Sequence, residues 1–333
     1  MPRAIRVFEP GKVYEVIPRA RAHLPMPPNQ LSNELKLGIL GRTQRDSNVA
    51  LSHFVDMCNH SHNLVVSTTP DRLPKFYMEH QKKTTDVVKV LTGLPQLSLW
   101  EGRPTVARIA DLYKAIERIV YIYSNPSKAA LCNSIEEYPG LTSWSAFLSC
   151  APCVDAEVKI ESHWYPSSEV QPLPTLALSP AQDAAMLKVL KESPKAQKHL
   201  IVLKPFKWLE SFGVTEPYRI ENIRKQIIAR VREAERIYAA KRAIEGTTVV
   251  PVSVQVRQAY MKPHNPKKKE RKIYLLCSDK DQRIELLKGF KEIFALCKMC
   301  YQKAKEGLRV DWPPGTFIPW FPPGFTFPLP TAI

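Results

Sequence analysis

Two histidines one residue apart, His60 and His62, stand inside an apolar run, with Phe54, Val55 and Met57 before them and Leu64, Val65 and Val66 after. In an extended strand, residues i and i+2 project from the same face, so the two imidazoles can point together. A pair so placed supplies half of a divalent-metal site, which one or two oxygen donors from a neighbouring element would complete. The competing reading is two histidines at a strand end bonded to backbone or solvent, the commoner fate of an arbitrary His-x-His.

The elements that must position this pair can be read from periodicity and punctuation. A strand is expected over about 12–18, then a Pro-rich connection and a helix over about 31–46 with Leu35, Ile39 and Leu40 on one side. Strands over about 49–57 and 61–67 follow so closely that an antiparallel pair is predicted. Pro70 and Asp71 open a helix that Gly93 and Pro95 stop. A strand near 104–109 and a helix near 110–124, ending before Asn125-Pro126, complete a strand-helix-strand-strand-helix-strand order. That order is the ferredoxin-like split βαβ plan, an antiparallel sheet with helices on one face. The fold class expected is therefore α+β.

Four blocks extend this reading. Glu9-Pro-Gly-Lys-Val-Tyr-Glu-Val-Ile-Pro-Arg19 carries a Pro-Gly-x-x-Tyr-x-Val-x-x-Arg pattern, and Met57, Asn59, His60 and His62 carry Met-x-Asn-His-x-His. Leu99-Trp-Glu-Gly-Arg-Pro-Thr-Val-Ala-Arg-Ile109 carries Trp-x-x-Arg. Ile119-Val-Tyr-Ile-Tyr-Ser-Asn-Pro-Ser-Lys-Ala-Ala-Leu131, followed by Tyr138-Pro-Gly-Leu-Thr-Ser-Trp144, carries Tyr-x-x-x-Asn-Pro-x-x-Ala-x-Leu and a Trp-containing ending. In this order the blocks resemble the His-hydrophobic-His (HUH) single-tyrosine transposases, in particular the REP-associated branch, over about residues 1–145. Ser61 departs from the large apolar residue usual between the histidines.

The resemblance implies a divalent metal, Mg²⁺ or Mn²⁺, on His60 and His62. It also implies a tyrosine that attacks a DNA phosphodiester to give a covalent phosphotyrosine. It places that tyrosine on the helix after the metal strand, near Thr84 or Thr85, where none stands. A threonine alcohol is far less acidic than a phenol, whose pKa is about 10. The candidate nucleophile is therefore Tyr77, seven residues earlier and about two helical turns away. Gln81 follows it at i+4, where helical side chains meet, and is the candidate third metal ligand. If Tyr77 only packs, the chain is a relative that has lost nicking.

Charge is uneven. The net charge is +16, and residues 201–310 hold 25 Lys and Arg against 12 Asp and Glu, whereas residues 1–200 hold 23 against 19. A basic field of this kind attracts polyanions; solvated surface charge is the alternative. Candidate nucleic-acid contacts are Arg19 and Arg103 from strands the resemblance puts beside the site, Lys82 and Lys83 on the helix carrying Tyr77, and Lys267, Lys268, Lys269, Arg271 and Lys272 in a Pro-broken loop. Lysines in such a loop give affinity without base readout.

No run of 18 apolar residues and no signal-peptide core occur, so a cytoplasmic, nucleoid-associated protein with no membrane partner is expected. Seven cysteines suit a reducing compartment. Cys150/Cys153 and Cys297/Cys300 have zinc-compatible spacing, but Cys297 continues a stripe of Leu287, Phe290 and Phe294 and reads as core, which disfavours zinc. A Pro-marked linker with a short helix begun by Ser179-Pro180 is expected over 146–200, and a basic helix-rich accessory domain over 201–310. That domain should hold a long amphipathic helix from Glu221 to Glu245, a strand over Thr248–Val256, a strand over Ile273–Cys277 and a helix over about 281–306. The Pro- and aromatic-rich tail, 311–333, should lie extended over a domain or bind a second subunit as a homodimer arm.

The function expected is a transposase-like protein that binds single-stranded or hairpin DNA and nicks and rejoins it. The alternative is a domesticated, catalytically inactive DNA-binding protein on the same fold. A hydrolase using metal-activated water on the same histidines is a third reading, which no residue specifically requires.

Overall fold

Charged residues are rare inside strands because a buried charge must be paired, yet Val-Tyr-Glu-Val-Ile forms strand β1 (Val13–Ile17), buried except at its end. Such a strand needs cover on both faces, and the computed structural model, which describes residues 7–264 and 273–316, supplies it. After β1 come β2 (His23–Leu24), α1 (Gln30–Ser47), β3 (Ala50–Asp56), β4 (Ser61–Val66), α2 (Arg72–Thr92), β5 (Thr105–Ile109) and α3 (Leu112–Lys128). Then follow α4 (Trp144–Ser149), β6 (Val158–Trp164), α5 (Pro180–Lys191), β7 (Gln197–Leu203), α6 (Lys207–Glu210), α7 (Pro217–Ile244), α8 (Val252–Val256), β8 (Lys262–Pro263), β9 (Leu275–Leu276) and α9 (Lys280–Lys305).

The sheet order is β6-β7-β3-β4-β1-β5-β9. Its four central strands are mutually antiparallel, in the order that a ferredoxin-like split βαβ unit requires. The α+β expectation holds. Beyond this unit, β7 adds parallel to β3 and antiparallel to β6, and β9 adds parallel to β5. The stretch expected as a linker thus contains β6, α5 and the start of β7. Sheet and core run on into the residues after 200.

Strand parity sorts the core. Val13, Leu64, Val66 and Ile109 pack with Ile116, Ile119 and Ile122 of α3 and with Ile220, Ile227 and Val231 of α7. Tyr14, Val16, Val65 and Val106 pack with Leu40 of α1 and with Leu73, Phe76 and Tyr77 of α2. A bulge between Leu51 and His53 shifts the phase of β3, which sends Leu51 to the α2 side and leaves His53 against Tyr123 of α3. The ferredoxin-like helices α1 and α2 do share one face, as expected, but the other face is covered as well. Each fully buried aliphatic side chain there contributes about 1.5–3 kcal/mol, so α7 is held chiefly by its apolar stripe.

Local chemistry sets the ends of the elements. The Asn29 side chain caps α1 by accepting from Ser32 N at 2.9 Å, and Asp183 of α5 accepts from Gln30 N and Leu31 N at 3.0 and 3.2 Å. Gly38 and Gly41 let α1 approach β6: a Cβ at Gly38 would lie 2.0 Å from the carbonyl oxygen of His163. Ser179 caps α5 with Pro180 at its first turn, as predicted.

Three expectations fail locally. The helix α3 runs through Asn125-Pro126 to Lys128 instead of stopping before them; Pro126 falls in the final turn, where few backbone bonds remain to break. The segment expected as a strand at Thr248–Val256 contains the short helix α8, opened by Pro251. The α9 stripe is only partly core, for Cys297 is buried while Leu287 and Phe294 stay exposed. No helix among the described residues is long and apolar enough to cross a membrane. The loop residues Lys267, Lys268, Lys269, Arg271 and Lys272, and the tail from 317 onward, lie outside the described residues.

Candidate functional site

The site grows from the turn between β3 and β4. Residues 62, 64 and 66 of β4 share one face, and Leu64 and Val66 face α3, so His62 faces α3 too. Its Nδ1 lies 2.8 Å from Glu15 Oε1, the charged residue hidden in β1. Both side chains are almost wholly buried, at 3 and 1 % exposure. Arg118 of α3 closes on the same carboxylate from the other side, with Nε and Nη2 donating at 2.7 and 2.8 Å. Burial pushes the Glu15 pKa up, but the hydrogen bonds and charges of His62 and Arg118 outweigh it and bring it down to about 2. An ionised carboxylate can only accept, so His62 carries its proton on Nδ1. Its Nε2 lone pair is left exposed to the site, a buried nitrogen with no hydrogen-bond partner among the described residues.

His60 adopts the same tautomer for a different reason. Its Nδ1 lies 2.7 Å from the side-chain oxygen of Asn59, which can only accept. Its Nε2 faces Asn125 Nδ2 of α3 at 3.2 Å. The two rings stand 5.1 Å apart between centroids at 82°. Burial first, then the charges of His62, Arg19 and His264, hold the His60 pKa well below its ordinary value, so the ring is neutral at pH 7 and keeps its lone pair.

The donor set fits a divalent cation. Two imidazole Nε2 atoms converge, and His62 shows the carboxylate–histidine pattern that orients metal ligands. The Asn125 amide is adjacent, and its oxygen and nitrogen can exchange places by a flip. Among the described residues no group of three or more His, Cys, Asp or Glu forms a ready-made metal cluster, so a third protein ligand would have to be an amide oxygen such as that of Asn125.

One turn before Asn125, and so on the same face of α3, stands Tyr121. Its ring lies 5.4 Å from that of His62, edge to face. The Arg118 guanidinium sits over the Tyr121 ring at 4.3 Å and Lys128 Nζ at 4.8 Å from its centroid. A half-buried phenol, two cations and two metal-competent nitrogens thus meet at one end of α3. The last turn of α3 is held from outside: Arg242 of α7 donates to Ser127 O at 2.7 Å, and Gln255 of α8 donates to Leu131 O at 2.6 Å.

The predicted residues divide sharply. His60 and His62 come together, and Arg19 is the bridge partner of His60 across β1's exit. Tyr77 and Gln81 do not join them. Tyr77 is buried on the other face of the sheet, among Tyr14, Val65 and Phe76. Gln81 Nε2 donates to Gly102 O at 3.2 Å. Lys83 pairs with Glu79 at 2.8 Å and Lys82 is exposed on the same helix. Arg103 is exposed in the loop before β5. Thr84 and Thr85 turn their hydroxyls back onto the carbonyls of His80 and Gln81 at 2.7 and 2.8 Å.

Sequence reasoning missed Glu15, Arg118, Tyr121 and Asn125, although two signals were present. Glu15 is a charge within an apolar strand. Tyr121 and Asn125 show the i+4 spacing that drew attention to Tyr77 and Gln81, inside a block already singled out. What was lacking was the knowledge of which helix covers the histidine face.

No protein-family model matches this chain, and no curated protein matches it. Among solved structures, one of a REP-associated tyrosine transposase bound to a REP hairpin is similar, with 17% identity and a TM-score of 0.39, over 45% of this chain and 86% of that one. A likeness at that level carries no functional argument, which rests instead on the site's own residues.

Proposed function

We propose that this protein binds single-stranded or hairpin DNA and cuts and rejoins it through Tyr121. The observation that carries the reading is the meeting of Tyr121 and Asn125, one helical turn apart, with the His60–His62 pair. The DNA hairpin held by the solved transposase agrees with this reading but does not support it independently. The four sequence blocks that resemble the single-tyrosine transposases converge on this end of the sheet.

In this reading His60 Nε2, His62 Nε2 and Asn125 would hold Mg²⁺ or Mn²⁺. A bound divalent ion would polarise the scissile phosphate and offset its growing negative charge. Glu15 fixes the His62 tautomer, and Arg118 keeps Glu15 ionised. Arg118 and Lys128 place positive charge beside the Tyr121 ring, where both phosphate and phenolate bring negative charge. The Tyr121 oxygen would attack phosphorus as the bond to the leaving oxygen breaks, and the phenolic proton passes to solvent. The phosphotyrosine formed conserves the bond for reversal by the freed hydroxyl. Arg19, beside His60, is the nearest of the predicted cations to that phosphate.

The test is covalent capture. Labelled hairpin DNA with single-stranded flanks and Mn²⁺ should give a denaturation-resistant adduct that Tyr121→Phe and His60→Ala abolish and Tyr77→Phe leaves intact. Binding without any adduct in the unaltered protein would favour the inactive DNA-binding alternative. An adduct lost in Tyr77→Phe but kept in Tyr121→Phe would overturn the assignment.

A further inference from the structure

The β3–β4 turn has a second side. Behind His60, on the α1 and α2 face, lies a cleft closed by that turn, by α1 and α2, and by Trp100. Its apolar walls include Met26, Met57 and Trp100. The indole is pinned, since its Nε1 donates to Gln81 O and Thr85 Oγ1 at 3.0 and 2.9 Å. Its polar rim is of another kind. Lys36 and Asp56 pair at 3.2 Å, at 8 and 17% exposure, and Lys36 also donates to Met26 O at 3.3 Å. That leaves one ammonium N–H and the second Asp56 oxygen without a partner among the described residues. The His80 ring also lines the cleft and stacks on Phe76 at 6.3 Å; its nitrogens have no hydrogen-bond partner among the described residues. Burial holds His80 below its ordinary pKa, so at pH 7 it offers one donor and one acceptor.

Pinned apolar walls with a rim that both donates and accepts suit a flat heteroaromatic ring read along one edge. Such a buried ion pair is costly unless its remaining valences are met, and a nucleobase edge would meet them. The cleft shares His60 with the Tyr121 site, so a strand whose phosphate lies there can turn the adjoining base behind the turn. We infer that the cleft between the β3–β4 turn, α1, α2 and Trp100 binds one unstacked nucleobase next to the reacting phosphate, and thereby sets where the strand is cut. Stacking on the walls supplies affinity, and Lys36, Asp56 and His80 supply base discrimination. This rests on the DNA reading above.

The experiment measures equilibrium binding of the full chain to a labelled DNA hairpin whose single-stranded flanks carry an abasic site moved one nucleotide at a time. Each flank position is also tested with all four bases. In the unaltered protein one position, within two nucleotides of the phosphate captured by Tyr121, should lose about tenfold in affinity when abasic. That penalty should fall below about twofold in His80→Ala and in Trp100→Ala, the first being the milder change should the second fail to fold. A flat abasic profile with binding and adduct intact overturns the cleft and leaves Tyr121 standing. The same follows if the penalty persists unchanged in His80→Ala. Failure to bind any of the hairpins overturns both readings.

Discussion

Tyr77 and Tyr121 lie on helices packed against opposite faces of one strand, β4, and their surroundings differ in every respect that matters to phosphate chemistry. Tyr77 is 6% exposed among apolar side chains, and the nearest cation on its own helix, Lys83, is already paired. Tyr121 is half-buried beneath Arg118 and Lys128 and against His62. The lesson is one of parity. His60 and His62 face α3 because Leu64 and Val66 do, and a strand cannot present two histidines at i and i+2 to both helices. The α1–α2 face received the apolar packing, and the α3–α7 face received the charges.

The largest expected effect breaks the comparison outright if it fails. Tyr121→Phe should reduce covalent DNA capture below detection, while Tyr77→Phe changes it less than about twofold, as read on a denaturing gel. Next, Glu15→Gln removes the charge that holds both Arg118 and His62. Chemical denaturation should show a loss of about 3 kcal/mol, and calorimetry a 10- to 100-fold weaker Mn²⁺ affinity, the usual cost of losing such an outer partner. On the other face, Gly38→Ala forces α1 off the β6 backbone and should lower stability by about 2 kcal/mol, with DNA capture retained at a temperature where the variant is folded.

A smaller effect concerns His53, fully buried against Tyr123 of α3, its Nδ1 2.7 Å from that hydroxyl. Burial holds its pKa down to about 3, against an ordinary 6.5. The unfolded chain therefore takes up a proton that the native state refuses. Stability is unaffected above pH about 6.5 and falls as pH drops from there toward 3, at about 1.4 kcal/mol per pH unit. His53→Gln should flatten the slope of unfolding free energy against pH by that amount in this window. An unchanged slope would mean that His53 is not the group refusing the proton. Smallest is Ala130, at φ +56° just past α3. Ala130→Gly should raise thermal stability by about 1 kcal/mol, because a left-handed conformation costs an L-residue about that much.

Much of the frame is legible in the order of residues alone. The strand and helix order through α2, the antiparallel β3–β4 pair and the projection of His60 with His62 follow from periodicity and turn residues within a few positions of one another. The β6–β7 extension is not legible, because β6 alternates exposed and half-buried residues (Val158 to Trp164) and lies amid prolines that signal a linker. Thr248–Val256 misleads for the opposite reason: β-branched residues signal a strand, but no sheet edge stands there to pair with it.

The sequence by itself therefore determined that two imidazoles emerge together from a buried strand, since that depends only on the two-residue repeat of extended chain. It also determined that a charged residue within β1 demands a partner. Only the tertiary structure decided who answers them. Whether α2 or α3 covers the histidine face depends on the handedness of the crossovers and on α7 packing behind α3, and contacts between residues some fifty positions apart or more (Glu15 with His62, His60 with Asn125) leave no local mark in composition or spacing.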